Sequence, residues 1–223
     1  MQVAVHSLAM ARTLVALAIV VLAGGLAGAD DWPAATIKEV FSESREWFVR
    51  VVPGKSLGDT FGFAGSPKGP YARAEFYQRA ADRSYRLVNE ITLENPIAPV
   101  RFLVTDRGYL VTFDNWHNVG YGKMLVSYGP SGRRVASYEL KDLFSSREIE
   151  AFSHSTSSIH WRTETLYVRS GQRSVYLALD DKGTEIILEP ETGAWQQCEW
   201  REKRHQCRDD NQRRNWRAFR EIQ

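Results

Sequence analysis

Two short stretches hold the residues best suited to chemistry. The first is Asp114-Asn-Trp-His-Asn-Val-Gly-Tyr-Gly122. It places a carboxylate and an imidazole three positions apart, among amides and two aromatic rings. Asp114 and His117 are suited to act as acid and base, or to share a metal. Trp116 and Tyr121 offer flat faces to a ligand. The second stretch is His154-Ser-Thr-Ser-Ser-Ile-His-Trp-Arg162. His160 and Arg162 are its strongest ligand-binding candidates. Its hydroxyls next to histidines suggest a hydrolase, yet no G-x-S-x-G elbow occurs in the chain to expose a nucleophilic serine. His154 and His160 are six apart, which fits neither the helix-face spacing of a zinc site nor a finger pattern. A metal would need a third ligand, with His117 the obvious choice. The same residue types also have a plain structural reading. Asp114 and Asn115 would bond the backbone, Trp116 would fill a core slot, and the glycines would supply positive φ. This reading is favoured over catalysis, and no metal or cofactor is expected. Gly54-Lys-Ser56 has the ending of a phosphate-binding loop, but Val49 stands where that loop needs its first glycine.

The elements that must position these loops are strands. β-rich runs occur at residues 46–52, 72–77, 85–91, 100–104, 109–113, 123–128, 134–138, 165–168, 174–179 and 184–188. Turn signals separate many of them: Pro53-Gly54, Asp106-Arg-Gly108, Pro130-Ser-Gly132, Asp181-Lys-Gly183 and Glu191-Thr-Gly193. Short strands at close spacing predict an all-β, antiparallel domain. The strands group into about three four-stranded meanders: Thr36 to Leu93 with an insertion around Gly54–Pro70, then residues 100–140, then Ser157 to Trp195. The middle unit has close to the ~40–45 residues of a propeller blade. Three blades cannot close a ring of four to eight, so the array is incomplete, open, or completed by a second copy. Phe102, Val104, Leu110, Val111, Leu125, Val126, Val135, Tyr176 and Leu177 are the expected core, with Trp47 and Trp161 the best-placed tryptophans. Ser145 or Ser146 caps a short connector helix that has Glu148 in its first turn.

The ends of the chain differ from the middle. Residues 1–29 carry Arg12 as their one formal charge, then the run from Thr13 to Leu22, then Ala27-Gly28-Ala29. That is the layout of a cleaved secretory signal, with an apolar run too short to span a membrane, so the mature chain would start at Asp30. In an oxidising compartment Cys198 and Cys207, the two cysteines present, should form a disulfide. Nine positions is about two and a half helical turns, which would put them on opposite faces, so the segment between them is a loop or hairpin. The domain divisions are therefore a signal at 1–29, a β-repeat domain at 30–198 and a charged segment at 199–223. In that segment Trp216, Phe219 and Ile222 could form one stripe of a short helix.

The net charge of the whole chain is +2, and +1 without Arg12. No strong field recruits nucleic acid. Ser42-Glu-Ser-Arg-Glu-Trp-Phe-Val-Arg-Val51 resembles a degenerate form of the S-P-D-G turn and strand of exported bacterial β-propellers, without the Pro and Gly. Val111–His117, Gly120–Gly122 and Ser155–Arg162 are similar to segments of exported bacterial proteins of unknown function. The resemblance implies a fold and a compartment, periplasmic or extracellular, and no catalytic residues. The expectation is a non-enzymatic binding or scaffolding domain whose partner is an envelope protein or glycan, with a homo-oligomer allowed. The alternative is an extracytoplasmic hydrolase or metal-dependent enzyme using Asp114, His117, His154 and His160.

Overall fold

The structure is a computed structural model that describes residues 32–163, 165–168, 174–180, 182–201 and 204–207. The expected signal segment and the expected C-terminal helix lie outside the described residues. Three antiparallel meanders follow one another along the chain. The first sheet has the order β1 (Lys38–Phe41), β2 (Trp47–Val52), β3 (Arg73–Arg79), β4 (Tyr85–Thr92). The second has β5 (Pro99–Val104), β6 (Leu110–Asn115), β7 (Leu125–Tyr128), β8 (Arg134–Tyr138). A two-stranded hairpin, β9 (Ser153–His154) and β10 (Ile159–His160), precedes the last sheet. That sheet has five strands: β11 (Leu166–Val168), β12 (Val175–Ala178), β13 (Thr184–Leu188), β14 (Trp195–Arg201) and β15 (Arg204–Cys207).

The second sheet lies between two cores, because adjacent residues on a strand point to opposite faces. Leu110, Val126, Phe102 and Val104 join Val49, Val51, Ala74 and Phe76 of the first sheet. Val111, Phe113 and Leu125 join Val175, Leu177, Ile186, Leu188 and Trp195 of the last. Every residue of β6 and β7 is therefore buried. A strand covered on both faces needs a mostly apolar run, as Leu110, Val111 and Phe113 provide around Thr112. No sheet closes into a ring among the described residues.

The connector is helical as expected but in two pieces, α1 (Leu140–Leu143) and α2 (Ser146–Ala151). Ser145 is the cap of α2. Its hydroxyl accepts from the Glu148 N–H at 3.3 Å, and the Glu148 carboxylate accepts from the Ser145 N–H at 2.8 Å, forming a capping box. Leu140, Leu143 and Phe144 anchor the connector in the second core.

Two expectations need correction. Val135 is half-buried rather than core, because it sits on edge strand β8. The last sheet runs from Leu166 to Cys207, because the disulfide hairpin adds a fifth strand. Residues 157–160 belong instead to the small hairpin. The Cys198–Cys207 disulfide is formed, between directly paired residues of β14 and β15.

Candidate functional site

Asp114 sits at the end of β6 with φ +57°, a left-handed conformation that Asp tolerates better than most side chains. This turns its carboxylate inward, where it is fully buried. Oδ1 accepts from the Gly120 N–H at 2.9 Å and from the Trp161 indole N–H at 2.8 Å. Oδ2 accepts from Arg162 Nε at 3.2 Å and Nη2 at 2.9 Å. The Arg162 side chain is 4% exposed, and its Nη1 donates to the Thr163 carbonyl at 2.8 Å. The guanidinium also lies over the rings of Phe113 and Trp161, at 5.8 and 5.6 Å from their centroids. Burial pushes the Asp114 carboxyl above its usual range, opposed by the Arg162 charge and the Trp161 and Gly120 donors. The four donors occupy both of its oxygens, and neither oxygen is turned to solvent. A general base must reach a substrate proton, and this one faces only its own chain.

The rest of the loop is ordered by the same local chemistry. The Asn115 amide donates to the Tyr121 carbonyl at 2.8 Å and accepts from Asn95 at 2.8 Å. Gly120 has φ +78°, and a Cβ there would meet the Ile159 carbonyl at 2.8 Å, so only glycine fits. Trp116 is 8% exposed; its indole donates to the Pro33 carbonyl at 3.0 Å and its ring meets Trp32 edge-on at 5.4 Å. His117, at φ +74°, lies beside the rings of Trp32 and Phe63, and burial lowers its pKa.

The sequence candidates thus separate into several places. Asp114 and Arg162 are brought together in a buried ion pair. Trp116 and His117 pack against Trp32, ahead of β1. His154 and His160 lie exposed on β9 and β10. Among the described residues no three His, Cys, Asp or Glu side chains form a group that could hold a metal ion. Tyr121 lies elsewhere again. It stacks on Phe61 at 4.4 Å with an interplanar angle of 7°.

That stack stands in an open cleft of about 750 Å3 between the 54–71 insertion and the 115–123 loop. The insertion is a closed loop held at its neck. The Lys55 N–H donates to the Pro70 carbonyl at 2.7 Å, and the Gly54 N–H to the Ile97 carbonyl at 2.7 Å. The Ser56 hydroxyl is buried, donates to Asp59 at 2.6 Å and accepts from the Gly69 N–H at 3.1 Å. This fixes the tip Thr60-Phe61-Gly62 over the cleft. The cleft's charges are each paired. Asp59 pairs with Lys68, and Glu94 with Arg134. Lys123 lies 2.8 Å from Glu139, whose carboxyl is held down to about 2 by hydrogen bonds from Lys123 and Lys141. Lys68 and Ser56 likewise hold the Asp59 carboxyl below its usual range.

The residues that sequence reasoning missed are Thr60, Phe61 and Asn118 of the cleft, and Trp161 as a ligand of the Asp114 carboxylate. The one available signal was the insertion itself, a Gly- and Pro-bearing break in an otherwise regular meander. No protein-family model, curated protein or solved structure matches the chain.

Proposed function

We propose that the chain is an exported β module that acts in the bacterial envelope by binding or scaffolding, not by catalysis. One observation carries the reading. The residue best suited to be an acid or base, Asp114, has both carboxylate oxygens committed to Gly120, Trp161 and Arg162. The machinery a hydrolase would need is used to fix a loop, and the open cleft beside that loop is lined by aromatic, amide and paired charged groups. Concave sites with a few polar groups among aromatic walls are binding sites in general.

Export is supported by the leader-like residues 1–29 and by the Cys198–Cys207 disulfide, which favours an oxidising compartment. No helix among the described residues is long and apolar enough to cross a membrane. The serial meanders, each sharing a core with the next, support a propeller-like succession of blades, left open or completed by a second copy.

The test is fractionation of the full chain expressed with its own leader, together with assays of the purified protein on ester, phosphoester and glycoside substrates. The expected result is a disulfide-bonded product starting near Asp30 and no turnover. Turnover that is lost in His117→Asn would overturn the reading, as would retention of the whole chain in the cytoplasm.

A further inference from the structure

We propose that the cleft between the Thr60–Phe61 tip and the Asn118–Tyr121 turn binds an uncharged saccharide; this rests on the binding reading above and names its ligand class. Thr60 and Asn118 both line the cleft and are 6% and 2% exposed. Thr60 Oγ1 and Asn118 Oδ1 have no hydrogen-bond partner among the described residues. A buried polar atom without a partner is costly, and two of them on side chains that line one cleft mark positions where a ligand that draws those side chains toward it supplies what the fold does not. The Asn118 amide nitrogen donates to the Ser157 carbonyl at 3.3 Å, so its free atom is the acceptor and calls for a donor. The Thr60 hydroxyl can serve either role. A sugar hydroxyl satisfies both.

The aromatic wall fits the same ligand. One face of Phe61 lies on Tyr121, yet Phe61 is 59% exposed, so its other face is open. The C–H face of a sugar ring packs on the electron-rich face of an aromatic ring. Charge argues against an ionic ligand. Asp59, Glu94 and Lys123 each have an opposite charge from the protein itself, leaving no unpaired ion to recognise an anionic or cationic ligand. The volume, about 750 Å3, lies within the range of ~300–1,000 Å3 usual for small-molecule sites.

The experiment is calorimetric titration of the purified protein with chitotetraose (N-acetylated), cellotetraose, maltotetraose and isomaltotetraose, alongside tetragalacturonate and the end-capped neutral peptide acetyl-Ala-Ser-Gly-Ala-amide. At least one neutral tetrasaccharide should bind, and Phe61→Ala and Thr60→Val should each weaken it about tenfold or more. Thr60→Val should also melt no lower than the wild type, because the hydroxyl it removes has no partner in the free protein. A merely structural Thr60 would lower the melting temperature and leave affinity alone. The proposal is overturned if no neutral saccharide binds, if both variants bind as the wild type does, or if only the galacturonate or the peptide binds. An exported, catalytically inert protein that binds no saccharide would sink this proposal alone. Release of reducing ends from a bound saccharide would support the ligand class and overturn the non-enzymatic reading.

Discussion

Trp161 donates its indole N–H to the Asp114 carboxylate at 2.8 Å, although 47 positions of chain separate them. With Arg162 beside it, this contact ties the 114–122 loop to the segment after β10. Asp114→Asn keeps a side chain that tolerates φ +57° but leaves the buried Arg162 cation without a counter-charge. Removing one partner of a buried pair costs about 3–5 kcal/mol. Adding Arg162→Met should return part of that, since the double variant has no orphaned charge. Denaturant unfolding of the two single variants and the double variant measures the coupling. Strictly additive losses would show that the two side chains do not stabilise each other.

His117 provides a pH test with a defined sign. Its folded-state pKa is lowered by burial, from an ordinary value near ~6.5. The folded state thus binds a proton less readily than the unfolded chain. Its contribution to stability is full above the unfolded value and is lost as pH falls through that value to the lower folded one. His117→Asn preserves the left-handed backbone and removes the titration. The melting temperature of the wild type minus that of the variant should therefore shrink between pH 7.5 and pH 5. Parallel pH profiles would mean that the imidazole is as well solvated folded as unfolded.

Periodicity made the strands legible because it is local. Residues 134–138 and 184–188 are strands over the ranges expected, and the Ser145–Glu148 cap needed only four consecutive residues to be seen. Eight of the nine expected core residues are buried for the same reason; Val135 failed because edge position depends on sheet order, which alternation does not reveal. β1 was missed because its Lys38-Glu-Val-Phe41 has weak alternation and an exposed face. The partners Trp161 and Arg162 of Asp114 were illegible because they come from another part of the chain. Asp-x-x-His looks alike whether the carboxylate faces solvent or an arginine. The cleft was illegible because its halves come from residues 58–64 and 118–123, and no spacing rule connects them.

The disulfide should matter to the last sheet. It joins directly paired residues of β14 and β15, and Cys198 is 1% exposed. A closed loop of this size contributes on the order of 2–3 kcal/mol in the chain-entropy model. Reduction should lower the denaturation midpoint accordingly, and native protein should take up no alkylating agent until reduced. Unchanged midpoints with fully reduced thiols would show that the hairpin holds without its link.

Leu125 and Val135 separate core from edge within one sheet. Leu125 is fully buried in the core that also holds Phe113, Leu140 and Leu143, whereas Val135 is half-buried on β8. Leu125→Ala should cost about 2–5 kcal/mol by loss of apolar burial and opening of a cavity. Val135→Ala should cost about 1 kcal/mol, near the centre for point variants generally. Equal midpoint shifts in urea would contradict the placement of the two residues.

Trp116 is the side chain by which the candidate loop holds the start of the domain. It is 8% exposed, donates to the Pro33 carbonyl, meets Trp32 edge-on, and carries the Lys38 ammonium 5.0 Å from its ring centre. Trp116→Ala removes a large buried ring and should cost about 3–5 kcal/mol. Trp116→Phe keeps most of the packing and gives up the hydrogen bond, worth about 1 kcal/mol net. The two variants should also differ locally. Proteolytic cleavage within residues 33–38 should rise sharply in Trp116→Ala and only slightly in Trp116→Phe, because the strap from Trp32 to Lys38 rests on the ring more than on its N–H. Neither variant should change binding in the Phe61–Tyr121 cleft by more than its loss of folded protein explains. A Trp116→Ala protein that melts with the wild type and is cleaved no faster within residues 33–38 would mean that the strap is held by its strand β1 alone.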